Sequence, residues 1–249
     1  MSWSSYLARK FFLLREASRQ KTIVFIVSTM RSGSTLLKSL LATAPDISHL
    51  PETDFSKYHG KRSWRLKTLS ADPIIVVKKP APFANDNYPA LPQLARTKTI
   101  VLVRDAYESV RSLKKMVDQV YPDLSEQWTY QELLNNYWLP VTSSLLDKAG
   151  QAGPDWLLVR YEDLIQTPIP ITEKLFRFIG SQQRDGVDRY TPPSSYEWAW
   201  GNDDGGDKIK SFRVQYEPPV RADEQLLQLI TSSPAVATLR ERLGYTDLE

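Results

Sequence analysis

The stretch Thr22-Ile-Val-Phe-Ile-Val-Ser-Thr-Met-Arg-Ser-Gly-Ser-Thr-Leu-Leu-Lys-Ser-Leu-Leu, ending at Leu41, decides how the rest of the chain is read. Ile23 to Val27 is an unbroken β-branched and aromatic run, the pattern of a strand buried on both faces, so it reads as a central strand. Arg31-Ser32-Gly33-Ser34-Thr35 supplies a turn of small residues. Leu36, Leu37, Leu40 and Leu41 then recur at helical spacing, so a helix starts inside the turn. Such a turn aims free backbone N–H groups and a helix N-terminus at one point, where hydrogen bonding and the helix dipole both favour an anion. The stretch is a candidate phosphate cradle.

Composition sets the class around it. With 249 residues, 41% hydrophobic and 24% charged, the chain reads as one α/β domain spanning 1–249 with room for a sizeable core. No apolar run approaches the roughly 20 residues of a membrane-spanning helix. A net charge of +3 is too slight to signal a nucleic-acid partner. The absence of cysteine excludes disulfides, zinc-thiolate sites and cysteine nucleophiles, and a cytoplasmic, bacterial setting is expected. Residues 1–20 form a basic amphipathic pattern, with Leu7, Phe11 and Leu14 against Arg9, Lys10, Arg15 and Arg19. Its apolar run is too short for a signal-peptide core. A helix packed on the sheet is the first reading and a membrane-surface helix the alternative. The sequence sets no oligomeric state.

Downstream, Ile47 to Pro51 reads as a short second strand, with Glu52 at its end. Ser56 to Ser70 is basic and helical or irregular, best explained as a solvated face. Buried-strand runs follow at Ile74–Val77, Thr99–Val103 and Trp156–Val159. The first of these ends in Lys78-Lys79-Pro80, the second in Arg104-Asp105, and the third in Arg160-Tyr161. Pro80, Pro82, Pro89 and Pro92 mark a loop. Residues 125–148 read as helical, with Trp128, Tyr130, Tyr137 and Trp138 mainly in the core. Ile171–Ile179 reads as a helix capped by Gly180. Residues 181–215 form a loop or lid holding Trp198 and Trp200, and Leu226 to Leu243 gives one or two closing helices. Strands alternating with helices predict a mostly parallel, doubly wound sheet, whose ligands gather at the carboxyl ends of the strands.

The cradle does not match G-x-x-x-x-G-K-[ST], the loop whose lysine serves the β- and γ-phosphates of ATP. The first glycine and the Gly-Lys pair are missing, and Arg31 precedes the single Gly33. Its N–H groups from Ser32 to Thr35, the hydroxyls of Ser34 and Thr35, and the Arg31 charge still suit an anion. Arg104 and Ser112 lie eight residues apart; they can close on one ligand only if the helix runs beside the strand end.

Arg31-Ser-Gly-Ser-Thr-Leu-Leu, with Pro45-Asp-Ile and Glu52-Thr53 downstream, resembles the sulfotransferases that use 3'-phosphoadenosine 5'-phosphosulfate, closest to the tyrosylprotein, carbohydrate and related bacterial branches. The resemblance spans residues 22 to 180 and implies a P-loop-like sulfotransferase fold. It assigns Arg31, Ser32, Gly33, Ser34, Thr35 and Leu36 to the 5'-phosphosulfate, Arg104 and Ser112 to the 3'-phosphate, and Tyr161 to the adenine. The implied reaction moves a sulfuryl group to an acceptor hydroxyl on a small molecule or carbohydrate and leaves adenosine 3',5'-bisphosphate; no metal is expected. The His of the cytosolic branch's K-T-H-x-P pattern is replaced here by Pro80. The resemblance therefore implies Glu52 as general base, with Lys78 and Arg31 as catalytic cations. It leaves open whether Lys78 or Lys79 enters the site, and whether Lys208 and Lys210 reach the phosphates. A base at Glu52 is expected to be partly desolvated. His49 and His59 are expected to be structural or solvent-facing. Trp128, Trp198 and Trp200 are candidates for an aromatic acceptor wall. The competing readings are a nucleotide kinase or other phosphoryl transferase, and a non-catalytic nucleotide-binding protein.

Overall fold

A computed structural model describes residues 20–81, 90–192, 207–218 and 220–245. The opening stretch forms strand β1 (Thr22–Ser28), and the later apolar runs form β2 (Ile74–Pro80), β3 (Thr97–Val103) and β4 (Trp156–Arg160). All neighbours are parallel, in the order β2-β1-β3-β4. Parallel strands need crossovers, so both faces of the sheet are covered and β1 has no polar face. Ile23, Phe25 and Val27 enter one apolar layer, and Val24 and Ile26 the other.

The second layer is closed by the helices Ser34–Leu41, Tyr161–Gln166 and Pro168–Ile179, through Leu37, Leu40, Leu164, Leu175 and Phe176. The first is closed by Ala106–Val120, Leu139–Gln151, Glu224–Thr231 and Pro234–Arg242. Within it Phe25 meets Phe55 edge-on at 5.3 Å and 72°, a pairing that contributes about 0.5–1.5 kcal/mol beyond its area. The strand order reverses at β1: β2 lies on one side and β3 on the other. That reversal opens a crevice beyond the carboxyl ends of β1 and β3.

Several elements differ from the sequence reading. Ile47 to Pro51 is not a strand; Ile47 makes an isolated bridge to Ile74, and Ser48 Oγ accepts from Val76 N at 3.0 Å. Pairing stops there because the Leu50 carbonyl is taken by Lys38 and Pro51 has no N–H to offer. The basic run becomes two 3-10 segments, Phe55–Tyr58 and Gly60–Thr68. The helix ending at Gly180, whose φ is 78°, begins at Pro168, since proline fits the first helical position where no N–H is needed. Residues 130–151 are helical with a π-helical stretch at Leu133–Trp138, which lets the consecutive Tyr137 and Trp138 both be buried. Trp128 and Tyr130 pack against the same core.

The closing helices are two, and they tie back to the strand ends. Arg240 Nε donates to Asp105 Oδ2 at 2.9 Å, and Tyr245 Oη to Glu162 Oε2 at 2.6 Å. Of residues 181–215, Tyr190 and Val214 are buried, and Arg189 bridges Arg213 antiparallel. All but the last residue of the predicted helix over residues 1–20, together with Pro82, Pro89, Trp198, Trp200 and the Lys208 side chain, lies outside the described residues. Among the described residues no helix is long and apolar enough to cross a membrane.

Candidate active site

The loop after β1 is held open by its own backbone. Arg31 has φ 62°, a left-handed conformation that side chains other than glycine adopt only when their surroundings fix it. Gly33, φ 86°, caps the Ser34–Leu41 helix without any side-chain cap. The N–H groups of Ser34, Thr35 and Leu36 thus have no partner within the helix, at the end of it that follows β1. A Cβ on Gly33 would lie 2.3 Å from Cδ2 of Tyr161, so glycine is needed for contact as well as for conformation. Ser32 turns its hydroxyl inward to Thr29 Oγ1 at 2.5 Å and so braces the loop from beneath. Met30 N donates to Tyr137 Oη (2.7 Å), which donates in turn to Ala81 O (2.6 Å), just past β2. Burial pushes the Tyr137 phenol well above its usual range, so it serves as a neutral clamp.

Arg104, just past β3, completes the crevice. Its Nη1 donates to Arg31 O at 2.8 Å, its Nη2 lies 3.3 Å from Glu108 Oε2, and its guanidinium sits 4.5 Å from the Tyr161 ring centre. Trp138 Nε1 fixes the Arg104 carbonyl at 3.2 Å. Ser112 is brought to the same place from the Ala106–Val120 helix, but its Oγ accepts from Arg31 Nε at 3.1 Å rather than from Arg104. Arg31 is thus the joint between the loop and both residues of the proposed 3'-phosphate pair. Three buried polar atoms around it have no hydrogen-bond partner: Arg104 Nε, Glu108 Oε1 and Ser28 Oγ. Buried donors are rarely left unpaired, and the open Arg104 Nε, on a guanidinium that also holds the Arg31 carbonyl, suits an anionic ligand.

At the neighbouring strand end, Lys78 Nζ meets Glu52 Oε2 at 2.6 Å and Lys79 Nζ meets Asp54 Oδ1 at 2.6 Å. Register explains the division: Lys78 pairs with Ile26 and Lys79 with Val27, so they leave β2 on opposite faces. Lys78 is buried, its side chain 2% exposed, on the face covered by the Ser34–Leu41 helix. Lys79 is the more open of the two. The expected desolvation of Glu52 is not seen: its side chain is 37% exposed, because it hangs off the strand edge and its partner is an ammonium rather than an apolar wall.

Sequence reasoning passed over Lys38. It stands in the apolar Ser34–Leu41 helix, 1% exposed, and donates from Nζ to the Leu50 carbonyl. Burial, then the Lys78 charge, brings its pKa down to about 7, with Glu52 opposing. His49, half-buried, is lowered to about 4 by burial and then by the Lys38 charge, so it is neutral near pH 7. His59 is exposed. A lysine three residues before Leu41, amid leucines, was the available signal for Lys38. For Glu108 it was its position one helical turn beyond Arg104. Tyr137 gave none, because only the fold brings it to residue 30. Among the described residues no group of His, Cys, Asp and Glu is arranged to hold a metal ion.

A family model described as sulfotransferase domain matches residues 21–202. Among solved structures, the sulfotransferase domain from the curacin biosynthetic pathway is 19% identical, covering 92% of this chain and 99% of its own, with a TM-score of 0.59. The sulfotransferase domain of the Synechococcus PCC 7002 olefin synthase gives 18%, 93%, 98% and 0.54 in the same terms. A sulfotransferase from Alicyclobacillus acidocaldarius gives 13%, 90%, 96% and 0.51. At such identities the likeness is one of fold. No curated protein matches the sequence.

Proposed function

The chain belongs to the sulfotransferase domain family, and on that premise we propose that it moves a sulfuryl group from 3'-phosphoadenosine 5'-phosphosulfate to an acceptor hydroxyl, with Glu52 taking the acceptor's proton. One observation carries the reading: Arg31, Arg104 and Ser112 converge where the strand order reverses, beside uncapped helix N–H groups and an unpaired Arg104 Nε. That arrangement offers two adjoining anion positions rather than one.

The donor supplies a sulfuryl group on a phosphate leaving group and a second phosphate on its ribose. Ser32, Gly33, Ser34, Thr35 and Leu36 present main-chain N–H groups to the first, with Arg31 as the adjoining charge. Arg104 and Ser112 take the second, and Tyr161, packed on Gly33 and beneath Arg104, flanks the adenosine. Glu52 takes the proton an attacking hydroxyl must lose, a role that its exposure to solvent at the strand edge supports. Lys78 Nζ orients that carboxylate and adds positive charge where negative charge builds on the leaving group. Residues 181–215 act as the lid in this reading, and the acceptor is a small molecule or carbohydrate in a cytoplasmic setting.

The test is an assay with labelled donor against phenols, alcohols, amines and sugars. Sulfuryl transfer to one of these classes is expected, together with binding of adenosine 3',5'-bisphosphate that Arg104→Ala weakens by about tenfold or more, the usual effect of losing hydrogen bonds to a charged group. Magnesium-dependent ATP turnover with no sulfuryl transfer would overturn the reading, and unchanged bisphosphate affinity in Arg104→Ala would refute the 3'-phosphate site.

A further inference from the structure

We propose that Lys38 is a positioning residue for the transfer step, holding from the helix behind the phosphate loop the segment that carries Glu52; this rests on the sulfuryl-transfer reading above. An ammonium leaves water at high cost, so a lysine 1% exposed in a layer of Leu37, Leu40 and Leu41 calls for a compensating partner. Its Nζ donates to the carbonyl of Leu50, two residues before Glu52. The helix begins at Ser34, in the loop itself, so one rigid element touches both the anion cradle and the base-bearing segment. Lys38 is the physical link between donor and base.

The link also carries charge. The groups facing Lys38 are Lys78 from β2, and Glu52 and His49 from the segment between the helix and the 3-10 turns. With burial and Lys78 bringing it to about 7, Lys38 changes charge in the range where the enzyme would work, beside a Glu52–Lys78 pair whose field it alters. A brace with no part in transfer would be felt in folding alone. A positioning residue is felt in kcat and in its pH dependence.

The experiment compares wild type with Lys38→Met and Lys38→Arg. Folding is checked by thermal unfolding and by adenosine 3',5'-bisphosphate affinity, after which kcat and KM are measured from pH 5.5 to 9. The expected result for Lys38→Met is bisphosphate affinity and donor KM within about twofold of wild type, kcat lower by about tenfold or more, and loss of the inflection near pH 7. Lys38→Arg, charged throughout, restores part of kcat but not the inflection. A Lys38→Met protein that is folded and has the kcat and pH profile of wild type would overturn the proposal. So would a kcat loss matching the loss of folded protein. If wild type itself transfers no sulfuryl group to any acceptor, the functional reading fails and takes this inference with it, an outcome distinct from the other two.

Discussion

The crevice at β1 and β3 and the edge at β2 are adjacent, yet they are built on opposite plans. In the crevice an uncapped helix start is set among residues that hold one another: Ser112 to Arg31, Arg31 O to Arg104, Met30 to Tyr137. At the edge, two side-chain ion pairs, Lys78–Glu52 and Lys79–Asp54, reach from β2 to a segment without regular structure. In the proposed function the first region binds the donor through several groups, whereas turnover rests on a single carboxylate in the second.

That contrast breaks most visibly at Glu52. Glu52→Gln keeps the shape and removes the proposed base, so kcat should fall by about 10²–10⁴ while bisphosphate affinity stays within about twofold. Steady-state kinetics with isothermal titration measures both, and a matching loss of donor affinity would show that the two regions are one. Next in size is Gly33→Ala, which places a methyl against Tyr161 and forces a side chain into φ 86°. With strain of about 1–3 kcal/mol, donor affinity should drop by roughly tenfold to a hundredfold and Tm should fall with it. Wild-type affinity in that variant would mean the loop is looser than its clamps imply. The smallest effect is expected from Ser112→Ala. One hydrogen bond to Arg31 contributes about 1 kcal/mol, so donor KM should rise only a few-fold with kcat unchanged. A change in kcat there would link the crevice directly to the transfer step.

The strands were legible because each carries a continuous apolar run, the pattern of a sheet buried on both faces. Ile47–Pro51, which has no such run, is not a strand: its pairing ends where Lys38 takes the Leu50 carbonyl, a contact from a helix earlier in the chain. Proline misled at residue 168, where it starts a helix instead of preceding one. In the site, Arg31, Arg104, Ser112, Glu52 and Lys78 could be named because their motifs resemble those of the sulfotransferases. Their pairings could not. That Lys78 rather than Lys79 meets Glu52 depends on which face of β2 each occupies, and that follows from register with β1.

The sequence by itself determined that a turn of small residues follows a buried central strand and opens a helix, because those are local consequences of hydrophobic period and of glycine. Tertiary structure alone decided that Tyr161 seals Gly33, that Tyr137 clamps residue 30 to the end of β2, and that a lysine among leucines is buried beside the Glu52–Lys78 pair. Each of these joins residues more than ten positions apart, brought together by the parallel crossovers of the sheet, and burial then sets their charge.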